Sequence, residues 1–338
     1  MKTRVVNLDS TTYEVTWGDR PLVVAETELT FRVLKINRTY RLCRGAPIKS
    51  STFFGKRTQP ASGDPVLALV NKTPFTGNVG LSLLKSALQK CIRRQNSELA
   101  LRVCKTMLTM SPTSLLRRLV IILCEDVLPE PQPLMALVWL YAASLKGYQL
   151  RIKDADYILS CVKAHCIYDA YVPPKLLDET VIDTHSTTDA AEAIQLYTAL
   201  TQFTLQFDRK MMNGVFKYLN GPAQETKVTV ALERGLFDET PHITLDEYPL
   251  YGIDFHNARG CLPYLAAVCK TTDQDAIKRT LWLKRSGVNT RKPQVTSEEA
   301  EELWPRIDKT MDRFARKHLL RVLEPPLIDK NPGQYESG

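Results

Sequence analysis

LSLLKSALQKCIRRQNSELALRVC, residues 81–104, is the stretch on which the fold turns. Leu81, Leu84, Leu88, Ile92, Leu99 and Val103 recur at the three- and four-residue spacing of one helical face, with Lys85, Lys90, Arg93 and Arg94 on the others. The pattern breaks at Ser111-Pro112, after which Thr113 or Ser114 can cap a helix over Leu115–Val127. Pro129, Pro131 and Pro133 interrupt again, and Pro133 suits the first turn of a helix over Leu134–Leu145 that Gly147 ends. Lys153–Cys166 predicts one more. Four helices with short connections make residues 81–170 an α-helical bundle.

Working outward, residues 1–45 have a different texture. Tyr13, Val15 and Trp17 alternate with polar neighbours, Gly18-Asp19-Arg20-Pro21 is a turn signal, and Leu22–Ala25 and Leu29–Leu34 read as short strands. Residues 46–80 form a basic, Pro/Gly/Ser-punctuated linker that carries Lys49, Lys56 and Arg57. Beyond Pro173-Pro174 a further helical region spans 186–323, and residues 324–338 are a loose tail. Within that region Asp189–Leu219 predicts a helix or helix pair, and Asp254–Val268 is apolar around Pro263. Thr272 or Asp273 caps Asp275–Arg285. Ser297 before Glu298, Glu299, Glu301 and Glu302 starts a last helix toward Leu323, with Pro305 as a kink. The expected fold is mainly α: a helical bundle, a small β-rich N-terminal section and a helical C-terminal region.

At 338 residues the chain is long enough for about two domains. Hydrophobic content of 44% and charged content of 24% exclude a wholly disordered or collagen-like chain. The longest apolar run, Leu134–Ala143, is half the roughly 20 residues of a membrane span, so no membrane partner is expected. The net charge of +8 divides unevenly: residues 1–170 hold 24 basic and 13 acidic side chains, residues 171–338 hold 21 and 24. Without a signal-peptide core at Met1–Val6, the eight cysteines read as reduced thiols of an intracellular protein, nuclear, cytoplasmic or within a virus particle, and not secreted.

Candidate chemistry is sparse. No P-loop, GxGxxG, GxSxG or HExxH motif occurs, and no cofactor is expected. Cys161, His165 and Cys166 are the one local set of metal-ligand types, competing with ordinary burial. Asp254 and His256 are a carboxylate and an imidazole two residues apart, the candidates for acid–base or metal-assisted hydrolysis. Six basic residues, Lys278, Arg279, Lys284, Arg285, Arg291 and Lys292, fall within fifteen positions with no acid between them. Such a run can grip the phosphates of DNA, or can be a solvated helix end.

The helical section also carries Lys90-Cys91-Ile92-Arg93, Ala100-Leu101, Met107-Leu108, Leu116-Arg117-Arg118-Leu119, and Glu125-Asp126 shortly before Pro129. In these residues it resembles the C-terminal helical region of the RarA/MgsA family, the Werner-helicase-interacting AAA+ ATPases, over about a quarter of the chain. Cys91 stands where that family has Ser. The resemblance implies a clamp-loader-type collar that mediates oligomer formation, with Arg93, Arg94, Arg117, Arg118, Glu125 and Asp126 as assembly residues. It implies an association with DNA replication or repair. ATP hydrolysis does not carry over, because the P-loop is missing. The expected function is a non-enzymatic assembly or DNA-associated accessory protein whose partner is a second copy, another protein or DNA. The alternatives are a structural subunit of a virus particle or nucleoprotein complex, and a hydrolase built on Asp254 and His256.

Overall fold

The apolar stripe of residues 81–104 does not run as one helix: Gln95 takes a left-handed φ of 57°, and Asn96 N–H reaches back to the Cys91 carbonyl at 2.9 Å. This six-to-one bond closes a Schellman turn. Asn96 then caps the next helix, its side-chain oxygen accepting from Leu99 N–H at 3.1 Å. The computed structural model of the 338-residue chain describes residues 3–48, 65–69, 77–124, 131–167, 189–201, 230–244, 261–281 and 301–311.

In these residues the strands are β1 (Thr3–Asp9), β2 (Val15–Gly18), β3 (Val23–Val33) and β4 (Arg38–Pro47). The helices are α1 (Gly77–Arg93), α2 (Ser97–Met110), α3 (Pro112–Ile122), α4 (Pro131–Ser144), α5 (Ile152–Ile167) and α6 (Asp189–Thr201). They continue with the single turn α7 (Leu236–Glu239), then α8 (Cys261–Cys269), α9 (Gln274–Leu281) and α10 (residues 301–311). The chain is therefore helix-rich with a small N-terminal sheet. Among the described residues no helix is long and apolar enough to cross a membrane.

Two compact units divide the chain, one of Met1–Val70 with Cys91–Ile243, the other of Asn71–Lys90 with Thr244–Gly338. These units do not follow the composition boundaries: the β-rich section and α2–α6 share the first. Its sheet has the order β2-β1-β4-β3, with β1 and β4 parallel and the two outer pairs antiparallel. The two short strands expected at Leu22–Ala25 and Leu29–Leu34 are one strand, β3, joined through a bulge between Ala25 and Thr27. No periodicity announces β1, because Val5, Val6, Asn7 and Leu8 are all buried. A central strand covered on both faces loses the alternation that marks a half-exposed one.

The segment from Gly18 to Leu22 carries the chain from β2 to the opposite edge of the sheet. Asn7 is buried where this segment passes; its amide accepts from Leu22 N–H at 2.8 Å and donates to the Arg20 carbonyl at 3.4 Å. On the same face Val5, Val23 and Cys43 form a small apolar cluster. Gly45 permits the close approach of β3 to β4 at the bulge, since a Cβ there would lie 1.9 Å from the Val24 carbonyl oxygen.

The other face of the sheet lies on the helices. Trp139 of α4 donates from Nε1 to the Val6 carbonyl at 3.2 Å, and Glu192 of α6 binds Arg4 at 2.7 Å and Arg38 at 3.0 Å. Helix α4 is buried along its whole length from Pro133 to Ala143, which explains a sequence apolar on every side. Gly147, at φ 89°, ends it through Tyr148 N–H to the Ala143 carbonyl at 3.0 Å. Helix α3 starts earlier than the expected Leu115: Pro112 occupies its first position after Ser111, and neither Thr113 nor Ser114 is the cap.

In the second unit, Lys270 at φ 53° closes α8 in the same way as Gln95 closes α1. Asp273 caps α9, accepting from Ala276 N–H at 2.9 Å. Arg306 of α10 donates to the Cys269 carbonyl at 3.2 Å, and Pro305 lies within the helical span. Leu265, Ile277, Leu281, Ile307 and Met311 are buried.

Candidate functional site

Arg44 is a guanidinium with no solvent exposure, brought by β4 onto the N-terminus of α5. Its Nη2 lies 3.0 Å from Oδ1 of Asp154, which is equally buried. Tyr13 donates its hydroxyl to the same oxygen at 2.7 Å; Tyr148 and the Arg151 backbone N–H donate to Oδ2 at 2.7 and 2.9 Å. The carboxylate thus accepts four bonds, the condition under which a buried charge is tolerated. Glu26, the residue at the bulge, stands 3.9 Å from Arg44 Nη1 and 3.3 Å from Arg151 Nη1.

The rings of Tyr13 and Tyr148 both flank the guanidinium, their centroids 6.0 Å from its carbon. Burial opposes the Arg44 charge most strongly, but the facing Asp154 carboxylate together with Tyr148 and Tyr13 more than offsets it, so Arg44 is held above its ordinary range. Burial and then Asp154 also push both tyrosine hydroxyls far up. Tyr13 has a left-handed φ of 62°, an uncommon conformation for a bulky side chain, and stacks on Tyr157 with ring centroids 4.1 Å apart. This node joins turn, sheet and helix. Its hydrogen bonds and ion pair tie Tyr13, β4 and the start of α5 together.

A second cluster fastens residues 230–243 to α2 and α5. Asp156 accepts from Gly235 N–H at 3.0 Å and Phe237 N–H at 2.8 Å, capping α7. Lys163 pairs with Glu233 at 2.6 Å, Lys105 donates to the Phe237 carbonyl at 2.6 Å, and Ile243 N–H donates to Thr106 at 3.0 Å. His242 lies 3.4 Å from the Thr106 hydroxyl, and burial together with Lys105 lowers its pKa below the ordinary value of 6.5. A hollow of about 230 Å³ beside this segment is lined by Pro65, Ile152, Lys153, Asp156 and Arg234, and its carboxylate is already committed to the two N–H groups.

Those of the sequence candidates that are described lie at the end of α1 and on α3, α5 and α9. Cys161, His165 and Cys166 are buried on α5, His165 Nδ1 meets its own helix at the Cys161 carbonyl at 2.6 Å, and burial pushes the Cys161 thiol up to about 12. Among the described residues no group of three His, Cys, Asp or Glu side chains can hold a metal ion, so these three are core residues of the bundle. Arg93 and Arg94 close α1. Arg117 and Arg118 lie on α3, where the Arg117 carbonyl accepts from Tyr197 of α6 at 2.6 Å. Glu125, Asp126, Asp254, His256, Lys284, Arg285, Arg291 and Lys292 lie outside the described residues. Lys278 and Arg279 are on α9.

What sequence reading missed is the contrast between the two edges of the sheet. The β2 edge is four residues long, and the Gln132 side chain covers it, accepting from Val15 N–H at 2.9 Å and donating to the Val15 carbonyl at 3.3 Å. The β3 edge is eleven residues long, and among the described residues no strand lies beyond it. Glu28, Thr30 and Arg32 are exposed along it, and Leu29 and Phe31 are half-buried. An open strand edge presents unpaired N–H and C=O groups, a template for another chain. No family model, curated protein or solved structure matches this chain.

Proposed function

We propose that this chain is a non-enzymatic assembly protein associated with DNA replication or repair, in which α1–α5 act as a clamp-loader-collar-like oligomerisation module. The observation that carries the reading is the eleven-residue β3 edge, beyond which no strand lies among the described residues, in a sheet that is itself anchored to the helices through Arg44–Asp154, Trp139–Val6 and Glu192–Arg4. An edge held this firmly can transmit a docking event into the helical body without first being ordered. The family resemblance of residues 81–168 supports the collar role, and the acid-free basic run Lys278–Lys292 supports contact with a polyanion.

Light scattering on the purified full-length chain tests the assembly reading. The expected mass rises with concentration above the 38.3 kDa of one chain. A mass that stays at one chain throughout overturns it. For the DNA association, duplex binding is expected to weaken steeply with salt and to be lost when Lys284, Arg285, Arg291 and Lys292 are all changed to Glu. Assembly without any salt-dependent DNA binding favours the second reading, a structural subunit of a large particle, which the same open edge also fits.

A further inference from the structure

We infer that the β3 edge is the docking surface for a second copy of this chain, the two β3 strands pairing antiparallel about a two-fold axis at Thr30; this rests on the assembly reading and names its partner and register. The register follows from the strand itself. The bulge between Ala25 and Thr27 ends regular pairing on one side, and the 3-10 turn Leu34–Ile36 ends it on the other. The regular stretch is Thr27–Val33, and its midpoint is Thr30. Full overlap of two such stretches therefore places residue i opposite residue 60 − i of the partner.

That register is chemically self-complementary. Glu28 of each copy faces Arg32 of the other, Leu29 faces Phe31, Thr27 faces Val33, and Thr30 faces Thr30. Opposite charges, an aromatic against an aliphatic side chain, and Thr against Thr are the cross-strand pairs that stabilise antiparallel sheets. Side chains alternate along the strand, so the two ion pairs share one face and the Leu–Phe pairs share the other. Leu29 and Phe31 are half-buried here; Phe31 lies against Tyr40, with ring centroids 6.1 Å apart, and under the Lys146 ammonium, 5.0 Å from its ring centroid. Thr27–Val33 has no Pro, no Lys and no internal bulge, and its two exposed charges, Glu28 and Arg32, are of opposite sign, so that they block a mismatched strand but pair in this register. Glu28 already accepts from Arg41 of its own chain at 2.7 Å, which leaves its carboxylate between two arginines in the pair. Joining the copies makes one eight-stranded sheet.

Seven residues a side is a small interface, so dissociation on the order of micromolar is expected. Sedimentation equilibrium of the full chain between about 1 and 100 μM measures it. Glu28→Arg alone and Arg32→Glu alone each set like charges opposite one another twice per dimer, and each is expected to weaken dimerisation at least about tenfold. Mixing the two variants one to one is expected to restore the dimer. In the mixed pair the arginine introduced in one copy faces the glutamate introduced in the other, and the unchanged Arg32 of the first faces the unchanged Glu28 of the second. The double charge swap in one chain should also dimerise, with Arg41 keeping a carboxylate as its diagonal neighbour. Circular dichroism checks that each variant keeps the fold.

Restoration on mixing establishes both the partner and the register. Assembly of the wild type that neither variant disturbs overturns the β3 pairing and leaves the assembly reading standing. Weakening without restoration on mixing overturns the Thr30 register. A wild type that is monomeric across the range overturns this pairing together with homo-assembly.

Discussion

Asp154 accepts four hydrogen bonds, from three separate stretches of the chain: Tyr13, Arg44, and the loop before α5 that supplies Tyr148 and the Arg151 backbone. Removing its charge strands a guanidinium with no exposure. Asp154→Asn is expected to cost about 3–5 kcal/mol in chemical denaturation, because the uncompensated Arg44 charge stays buried. Adding Arg44→Met to Asp154→Asn removes the stranded charge while keeping an acceptor for the tyrosines, so the double variant should recover part of that loss, and a double variant no better than Asp154→Asn would contradict the assignment. Gly45 is a steric requirement: Gly45→Ala drives a methyl into the Val24 carbonyl, and a loss of at least about 3 kcal/mol is expected in the same measurement. His242 carries a pH dependence. Its folded pKa lies below 6.5 and its unfolded pKa near it, so between the two the unfolded chain binds more protons. Stability is full above the ordinary value and falls as pH drops through it. The melting temperature of the wild type relative to His242→Gln should therefore fall between about pH 7.5 and 5.5.

At the scale of the element, helix ends decide more than helix middles. Gln95, Gly147 and Lys270 all occupy the left-handed position after a helix, where only Gly is free of a Cβ penalty. Gln95→Gly is expected to stabilise the chain by about 0.5–1 kcal/mol, read as a higher denaturation midpoint with an unchanged slope. Gly147 was legible from its sequence position after an apolar run; Gln95 was not, because a polar residue between two helical stripes has no signature of positive φ. Helix α4 was likewise legible as an uninterrupted apolar segment. Strand β1 is hidden in the sequence by its burial on both faces, and β3 reads as two strands because the bulge at Ala25 and Thr27 breaks its period of two.

For the first unit as a whole, the sheet and the helices are expected to behave as one cooperative body. The node at Arg44–Asp154, the Trp139 bond to Val6 and the Glu192 clamp on Arg4 and Arg38 all cross from strand to helix. Amides of β4 and of α5 are expected to exchange hydrogen with the same free energy, and Asp154→Asn should lower both together. Exchange that rises in β4 alone would mean that the sheet opens independently. The β3 edge belongs to this body, which is why assembly through it would couple to the helices and not to a loose appendage.

From the chain alone came the helices, their apolar faces, several of their stops, the β-rich start and the uneven charge. These are local matters of spacing, propensity and turn chemistry, settled by residues within a few positions of one another. Only the tertiary structure brought Tyr13, Arg44, Tyr148 and Asp154 together across as many as 141 positions, and only it decided which sheet edge is covered by Gln132 and which has no further strand among the described residues. Strand order is set by pairing between distant segments and by the crossing of Gly18–Leu22 over Asn7. A linear sequence records the residues of such an edge, but the missing neighbour that makes it an edge exists only in three dimensions.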